Sequence, residues 1–231
     1  MVTTTTSADQ DTRADGQSAA PLRMTYDEWR DWYDKEAGRR GEWVDGEVVV
    51  FMAVTDRHNR IVTFLITVLN IYLSRRRAGE LFSQEFELRT REGAAREPDI
   101  FVVLREHLDR LESLRVRGAA DLVIEIISPD SLTRDRRDKL AEYATVGVPE
   151  YWLVDPREGR ETIEVLTLDP DGYYVPVPPD AAGRLHSLVL PGVWADAAWL
   201  AYGDELPDVV TLGLEMVAAA DAARATESAE A

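Results

Sequence analysis

The run Asp121–Ser128 reads DLVIEIIS and is almost continuous in branched aliphatic residues. A short run of this kind is typical of a strand at the centre of a sheet, covered on both faces. Because side chains alternate along a strand, Leu122, Ile124 and Ile126 share one face, and Glu125 points to the other. A carboxylate buried there loses its hydration at a large cost unless it is paired, protonated or bound to a cation. Glu125 is therefore the first candidate functional residue.

The pattern of the remaining sequence predicts an α/β fold. The clearest helix covers residues 56–80, where an apolar stripe ends in three arginines and Gly79 is the predicted cap. The other predicted elements are helices over residues 26–36 and 131–148, hairpins turning at Asp45-Gly46 and Asp171-Gly172, and one strand over residues 80–90. This order predicts one domain with a mixed central β-sheet flanked by helices.

The two ends of the chain differ in composition from its middle. Residues 1–20 are polar and expected to be a disordered N-terminal tail, residues 21–202 form the predicted domain, and residues 203–231 read as an acidic, alanine-rich C-terminal tail. One hypothesis is that this acidic tail covers the functional site until it is displaced. No secretory signal or membrane segment is recognisable, so the expected location is cytoplasmic.

Composition restricts the possible chemistry. The chain has no cysteine, which excludes disulfides and thiolate zinc sites, and its three histidines lie far apart. The net charge of −17 opposes nucleic-acid binding at long range.

Asp99 is the nearest candidate companion of Glu125. It follows Pro98 at the start of the run PDIFVVL, a second predicted strand. Two carboxylates that converge from adjacent strands repel one another unless a divalent cation lies between them, and oxygen ligands of this kind favour Mg²⁺ or Mn²⁺. The alternative for Asp99 is a structural role, in which it accepts hydrogen bonds from nearby amides.

Three further residues could complete the site. Lys139 lies on the predicted helix after Glu125 and could reach back to orient water or stabilise negative charge, or it could form a surface ion pair with Asp135. Glu42 and Glu47 flank the Asp45-Gly46 turn and could supply another metal ligand, or they could be solvated neighbours of the turn.

Six segments, in this order, resemble the Uma2 family (also catalogued as DUF820) of restriction-endonuclease-like proteins. They are EWVDGEVV, RHNRIV, REPDIFVV, DLVIEIISPDS, RDKLAEYATVGVPEYWLVDP and LPGVW, and they extend from about Met24 to about Leu200. The pairing of PDI at 98–100 with EII at 125–127 also resembles the PD-(D/E)xK nuclease signature, although Ile127 stands where that signature has lysine.

The resemblance implies a restriction-endonuclease-like core and Mg²⁺-dependent hydrolysis of phosphodiester bonds in nucleic acid, with DNA as the favoured partner. It implies that Asp99, Glu125 and the backbone carbonyl of Ile126 hold the metal, that Lys139 takes the lysine role, and that Glu42 is a weaker metal candidate. His58 and Arg136 are candidate substrate contacts, and His58 could instead serve the start of its helix. A homodimer would suit duplex cleavage.

Two other functions remain open at this stage. The acidic balance and the lysine missing at position 127 suit a nuclease-fold protein that binds a partner without cutting it. A glycosidase that uses two carboxylates requires a substrate cleft between an acid and a base, and only the carboxylate pair itself favours it.

Overall fold

The computed structural model describes residues 22–35, 41–50, 55–84, 86–128, 131–201 and 206–230. The predicted tail over residues 1–20 and the boundary between residues 202 and 203 lie outside these ranges. Among the helices within them, none is long and apolar enough to cross a membrane.

The strands, in chain order, are β1 (Leu22–Arg23), β2 (Gly41–Val44), β3 (Glu47–Val50), β4 (Gly79–Ser83), β5 (Glu87–Arg91), β6 (Ala94–Arg96), β7 (Ile100–Leu104), β8 (Arg115–Arg117), β9 (Leu122–Ile126), β10 (Glu150–Asp155), β11 (Thr162–Leu168), β12 (Tyr174–Pro176), β13 (Leu185–His186) and β14 (Trp194–Ala195). The helices are α1 (Tyr26–Lys35), α2 (Asp56–Arg76), α3 (Leu140–Val146), α4 (Ala198–Ala201) and α5 (Val209–Glu230). A 3₁₀ turn covers Arg105–Arg110, and a π-helical segment, Arg134–Lys139, leads directly into α3.

The predicted mixed central sheet is confirmed. Its strand order is β12-β11-β10-β9-β7-β4; β9 and β10 are parallel, and the other neighbouring pairs are antiparallel. All five residues of β9 are buried, as expected of a central strand. Leu122, Ile124 and Ile126 pack in one core with α2, whereas Val123 and Ile127 pack in a second core with α3. The two faces predicted for this strand are therefore correct.

A second sheet, which the sequence pattern did not predict, lies next to the first. Its order is β1-β3-β2-β6-β5-β8. Leu88 of β5 and Val116 of β8 are buried in the same core as Phe101 and Val123, on the face of the central sheet opposite α2. The single strand predicted over residues 80–90 is wrong, because β4 pairs with β7 in the central sheet and β5 pairs with β6 and β8 in the second. Alternation of side chains indicates a strand but does not identify its partner.

Both predicted hairpin turns are present. Asp45 and Gly46, between β2 and β3, have φ values of 48° and 86°, as a two-residue turn with two left-handed positions requires. Gly172, between β11 and β12, has a φ of 84°.

Helix α2 begins as predicted, and its C-cap lies two residues before the predicted one. The Thr55 side chain accepts a hydrogen bond from the backbone N–H of His58, which caps the first turn. The C-cap is Arg77, in the left-handed region with a φ of 52°, and not Gly79. Gly79 instead begins β4, where a Cβ atom would lie 2.2 Å from the carbonyl oxygen of Val103. Close strand pairing, rather than helix capping, therefore requires this glycine.

The segment predicted as an acidic C-terminal tail contains α5, which packs against α2. Leu212, Met216 and Ala220 are buried in the core that α2 forms with the central sheet. At Gly213 a Cβ atom would lie 2.8 Å from the Ile71 side chain, so the two helices are in close contact. Because α5 lies on the α2 face of the central sheet and Glu125 points to the other, residues 209–230 do not cover Glu125.

Candidate active site

Lys139 is buried among three carboxylates. Its Nζ lies 2.8 Å from Oε1 of Glu125 and 3.0 Å from Oε1 of Glu42. Oδ1 of Asp135, four residues earlier on the same helix, lies 3.5 Å away. Burial alone would lower the pKa of Lys139, but these carboxylates raise it, so the side chain stays an ammonium. Lys139 therefore reaches Glu125, as one interpretation expects. It also pairs with Asp135, as the alternative expects, but this ion pair is buried and not at the surface.

The helix that carries Lys139 is widened over the π-helical segment. The Tyr151 hydroxyl donates a hydrogen bond of 3.1 Å to the backbone carbonyl of Asp135, an acceptor that a regular α-helix would use internally. A partner inserted into the backbone ladder in this way opens a helical turn. Asp135 and Lys139 are both buried, whereas the residues between them are exposed.

Glu42 connects this cluster to the second sheet. Its Oε1 accepts a 3.2 Å hydrogen bond from the backbone N–H of Glu97, and its Oε2 accepts one of 3.1 Å from Arg96. Arg96 also donates to Glu142, with 2.6 Å between Nη2 and Oε2. Burial alone would raise the pKa of Glu42, but the charges of Lys139 and Arg96 lower it to about 2. Glu42 is therefore ionised, and both of its oxygens already have partners.

The pKa of Glu125 is shifted in the opposite direction from that of Glu42. Its Oε1 accepts hydrogen bonds from Lys139 at 2.8 Å and from the Tyr143 hydroxyl at 3.1 Å. Burial raises the pKa of Glu125 to about 8; the Lys139 ammonium opposes the shift, and nearby carboxylates, those of Asp135 and Asp99 among them, add to it. Burial is thus the main reason that the charged form of Glu125 is disfavoured.

Asp99 lies beside Glu125 and is the most open of these carboxylates. If the antiparallel register of β7 and β9 is extended by one residue, Asp99 stands opposite Glu125. Its Oδ2 accepts a hydrogen bond of 2.8 Å from the backbone N–H of Ile126, so the structural role considered for Asp99 is present. The Asp99 side chain is 17% exposed, compared with 4% for Glu125. Among these carboxylates, solvent therefore has most access at Asp99.

His58 contacts Asp99 from the first turn of α2. Its Nε2 lies 3.2 Å from Oδ2 of Asp99, and the side chain is 6% exposed. Its Nδ1 is buried and has no hydrogen-bond partner among the described residues. The His58 side chain therefore contacts Asp99, and the His58 backbone N–H donates to Thr55 in the helix cap.

Two other candidates lie outside the cluster. Arg136 is exposed and pairs with Glu164 of β11. Glu47 pairs with Arg23 of β1 at the surface. Asp135, rather than Arg136, is buried beside Lys139.

A family comparison covers this whole cluster. The model of the Uma2 family, described as "Putative restriction endonuclease", matches residues 25–198. The chain belongs to the Uma2 family.

A solved structure has a similar fold to this Uma2 protein. Its title describes "a putative nuclease belonging to DUF820" from Anabaena variabilis ATCC 29413. The two chains are 20% identical, the match covers 75% of this chain and 90% of that one, and the TM-score is 0.56. No protein of curated function matches the sequence. At this identity the likeness supports the fold alone.

The oxygen donors in this Uma2 protein fit a hard divalent cation. No group of three or more carboxylate, imidazole or thiolate side chains, within the ranges that the structure covers, is arranged to hold a metal ion by itself. Mg²⁺, however, uses one or two carboxylates and keeps several waters. Asp99 and Glu125, with the carbonyl of Ile126, are oxygen donors of this kind, and a bound cation would offset the cost of ionising the buried Glu125 carboxyl group.

Sequence reasoning missed the part that two residues take in this cluster. The sequence indicates Asp135 only as a surface partner of Lys139, and it indicates no role for Arg96 in the segment REPD. The spacing of four residues between Asp135 and Lys139 was the available signal for a shared helix face. Arg96 gave no such signal, because its contact with Glu42 joins residues 54 positions apart.

Proposed function

We propose that this chain is a metal-dependent nuclease that hydrolyses phosphodiester bonds in nucleic acid with Mg²⁺ or Mn²⁺. The single observation that carries the proposal is the 2.8 Å contact of Lys139 with Glu125, beside Asp99 at the ends of two adjacent strands. The family description, a restriction endonuclease, favours DNA over RNA as the substrate.

The proposed metal ligands are Asp99, Glu125 and the backbone carbonyl of Ile126. A bound divalent ion would supply Lewis acidity and a water of lowered pKa. The hydrogen bond from the Ile126 N–H holds Oδ2 of Asp99 against the neighbouring strand. The other oxygen, Oδ1, is then the one that would bind the metal. His58 supports the same carboxylate from α2.

Lys139 acts in this proposal as a permanent cation. In hydrolysis, a water oxygen attacks phosphorus, the bond from phosphorus to the leaving oxygen breaks, and negative charge grows on the phosphoryl oxygens. An ammonium at the site stabilises that charge and can donate a hydrogen bond to the attacking water. Glu42 and Asp135 also contact the ammonium, so in this proposal they are positioning residues for Lys139.

Cleavage assays test the proposal directly. Plasmid DNA and a labelled RNA are incubated with Mg²⁺ or Mn²⁺ and with the wild type, Asp99→Asn, Glu125→Gln or Lys139→Met. Arg160→Ala, at an exposed position, is the control for purification and handling. We expect metal-dependent cleavage by the wild type and the control and at least a hundredfold loss in the three site variants. Equal activity in all of them would exclude this site.

A second candidate function is a nuclease-fold protein that binds nucleic acid without cutting it. It is favoured by Ile127 in place of the signature lysine and by the burial of Lys139, which is only 3% exposed on its side chain. Calorimetric titration with Mn²⁺ separates the two functions. Binding that Asp99→Asn abolishes supports the nuclease, and the absence of site-dependent binding supports the binding protein.

A further inference from the structure

A groove of about 1020 Å³ runs between the second sheet and the helix that carries Lys139. One wall is formed by β1, the β2–β3 hairpin, β5 and β6, and the other by residues 134–146 of the π-helical segment and α3. The groove is lined by five arginines and four acidic residues, in a chain whose net charge is −17. The five arginines are Arg23, Arg91, Arg96, Arg134 and Arg137.

Two of these arginines, Arg91 and Arg137, form ion pairs that are exposed to solvent. Arg91 donates two hydrogen bonds of 2.7 Å to Asp45, and the two side chains are 43% and 65% exposed. Arg137 pairs with its neighbour Asp138 at 2.8 Å, with both side chains about half exposed or more. Ion pairs this open to solvent contribute little to stability. A phosphate could therefore replace the carboxylate partner at small cost.

The chemistry and length of the groove suit a phosphodiester backbone. A guanidinium group binds a phosphate through two parallel hydrogen bonds, as it does a carboxylate. The helical wall is on the order of 15–20 Å long, at about 1.5 Å per residue. Each strand of a duplex carries one phosphate per 3.4 Å or so of the duplex axis, so several would fit beside a wall of this length.

Arg96 joins the groove to the candidate active site. It lies in the groove lining, where it contacts Glu142, and it also donates to Glu42, which contacts Lys139. A strand bound along the groove would thus lie two side chains away from the Lys139 ammonium.

We propose that this groove binds the phosphate backbone of a nucleic acid, with Arg23, Arg91 and Arg137 as its exposed phosphate contacts. The inference rests on the proposed function, which gives nucleic acid as the class of ligand. It adds a binding surface for that ligand outside the metal site.

The test measures binding without cleavage. Fluorescence anisotropy follows a short labelled DNA duplex, and the same strand alone, in EDTA over a range of salt concentrations. The groove variant is Arg23→Ala, Arg91→Ala and Arg137→Ala combined. The matched control combines Arg75→Ala, Arg117→Ala and Arg160→Ala, which remove the same charge at exposed positions outside the groove lining. A third variant, Asp45→Asn, Glu47→Gln and Asp138→Asn combined, removes three competing acids from the groove.

We expect the groove variant to bind at least tenfold more weakly than the control. Log affinity falls linearly as log salt concentration rises, and each duplex phosphate contact contributes about 0.9 to the steepness of that fall. We therefore also expect the groove variant to show a shallower fall, with a slope smaller in magnitude by roughly 2–3. The variant without competing acids should bind more tightly than the wild type. Equal losses in the groove and control variants, or no binding by the wild type, would overturn the proposal.

The outcome is separable from that of the cleavage assay. If the wild type cleaves DNA but the groove variant binds like the control, the groove proposal is wrong and the nuclease stands. If the wild type binds through the groove but never cleaves, the nuclease proposal fails and the groove remains.

Discussion

The Lys139 ammonium lies 2.8 Å from the Glu125 carboxyl group, and both side chains are almost completely withdrawn from solvent. One belongs to a widened helical turn and the other to the central strand of the sheet. Their contact is what joins the helix to the carboxylates of the candidate site.

Replacing Lys139 with methionine should destabilise the protein by about 3–5 kcal/mol, because removing one partner leaves buried carboxylates without compensation. Urea unfolding followed by circular dichroism measures the change. The double variant Lys139→Met with Glu125→Gln should recover part of the loss, since it also removes one of the buried ionisable groups that Lys139 contacts. An unchanged unfolding midpoint in Lys139→Met would show that the ion pair contributes nothing to the fold.

Substitution of Glu42 by glutamine should reduce cleavage by roughly ten- to a hundredfold while leaving Mn²⁺ affinity unchanged. Both oxygens of Glu42 are already bonded, so its expected role is to position Lys139, and a misplaced catalytic group costs rate rather than metal binding. Calorimetry and single-turnover kinetics measure the two quantities. Asp99→Asn is the contrasting variant, because it should lose Mn²⁺ affinity. A comparable loss of Mn²⁺ affinity in Glu42→Gln would make Glu42 a metal ligand.

Acidification should remove a stabilising contribution from Glu42. Its pKa in the folded protein is about 2, below the ordinary value of 4.5, so its contribution is complete above pH 4.5 and is lost as the pH falls towards 2. The loss is on the order of 3 kcal/mol, at about 1.36 kcal/mol per pKa unit. The difference in unfolding free energy between the wild type and Glu42→Gln should therefore shrink over this range. A difference that stays constant from pH 5 to pH 2 would contradict the assignment.

Truncation of Met216 to alanine should lower the unfolding free energy by about 2–4 kcal/mol, because the side chain is buried between α5, α2 and the central sheet. Leu214→Ala, at a position that is 42% exposed, is the matched control and should change stability far less. Neither variant should raise nucleic-acid affinity, since α5 lies away from the candidate site. Increased affinity in Met216→Ala would instead restore the hypothesis of a covering tail.

Local patterns were enough to predict several parts of this protein. The alternation in DLVIEIIS placed Glu125 and its neighbours on the correct faces of β9, and Asp45-Gly46 identified its turn. The helix predicted from residue 26 begins there, and the hydroxyl of the preceding Thr25 accepts a hydrogen bond from the backbone N–H of Glu28. These features depend on residues within one turn or one strand of each other, so their energetics are contained in the adjacent sequence.

Long-range packing decided the rest. The contacts of Glu42 with Arg96 and Lys139 join a hairpin, a strand and a helix far apart in the chain, and no spacing rule connects them. Gly79 was available as a helix cap but serves a strand, because the β7 backbone approaches it too closely for any side chain. Asp135 is buried beside Lys139 and Arg136 is not, in a helical segment whose Asp135 carbonyl accepts a hydrogen bond from the Tyr151 hydroxyl of β10. In each case the deciding free energy comes from a partner that only the folded chain brings into contact.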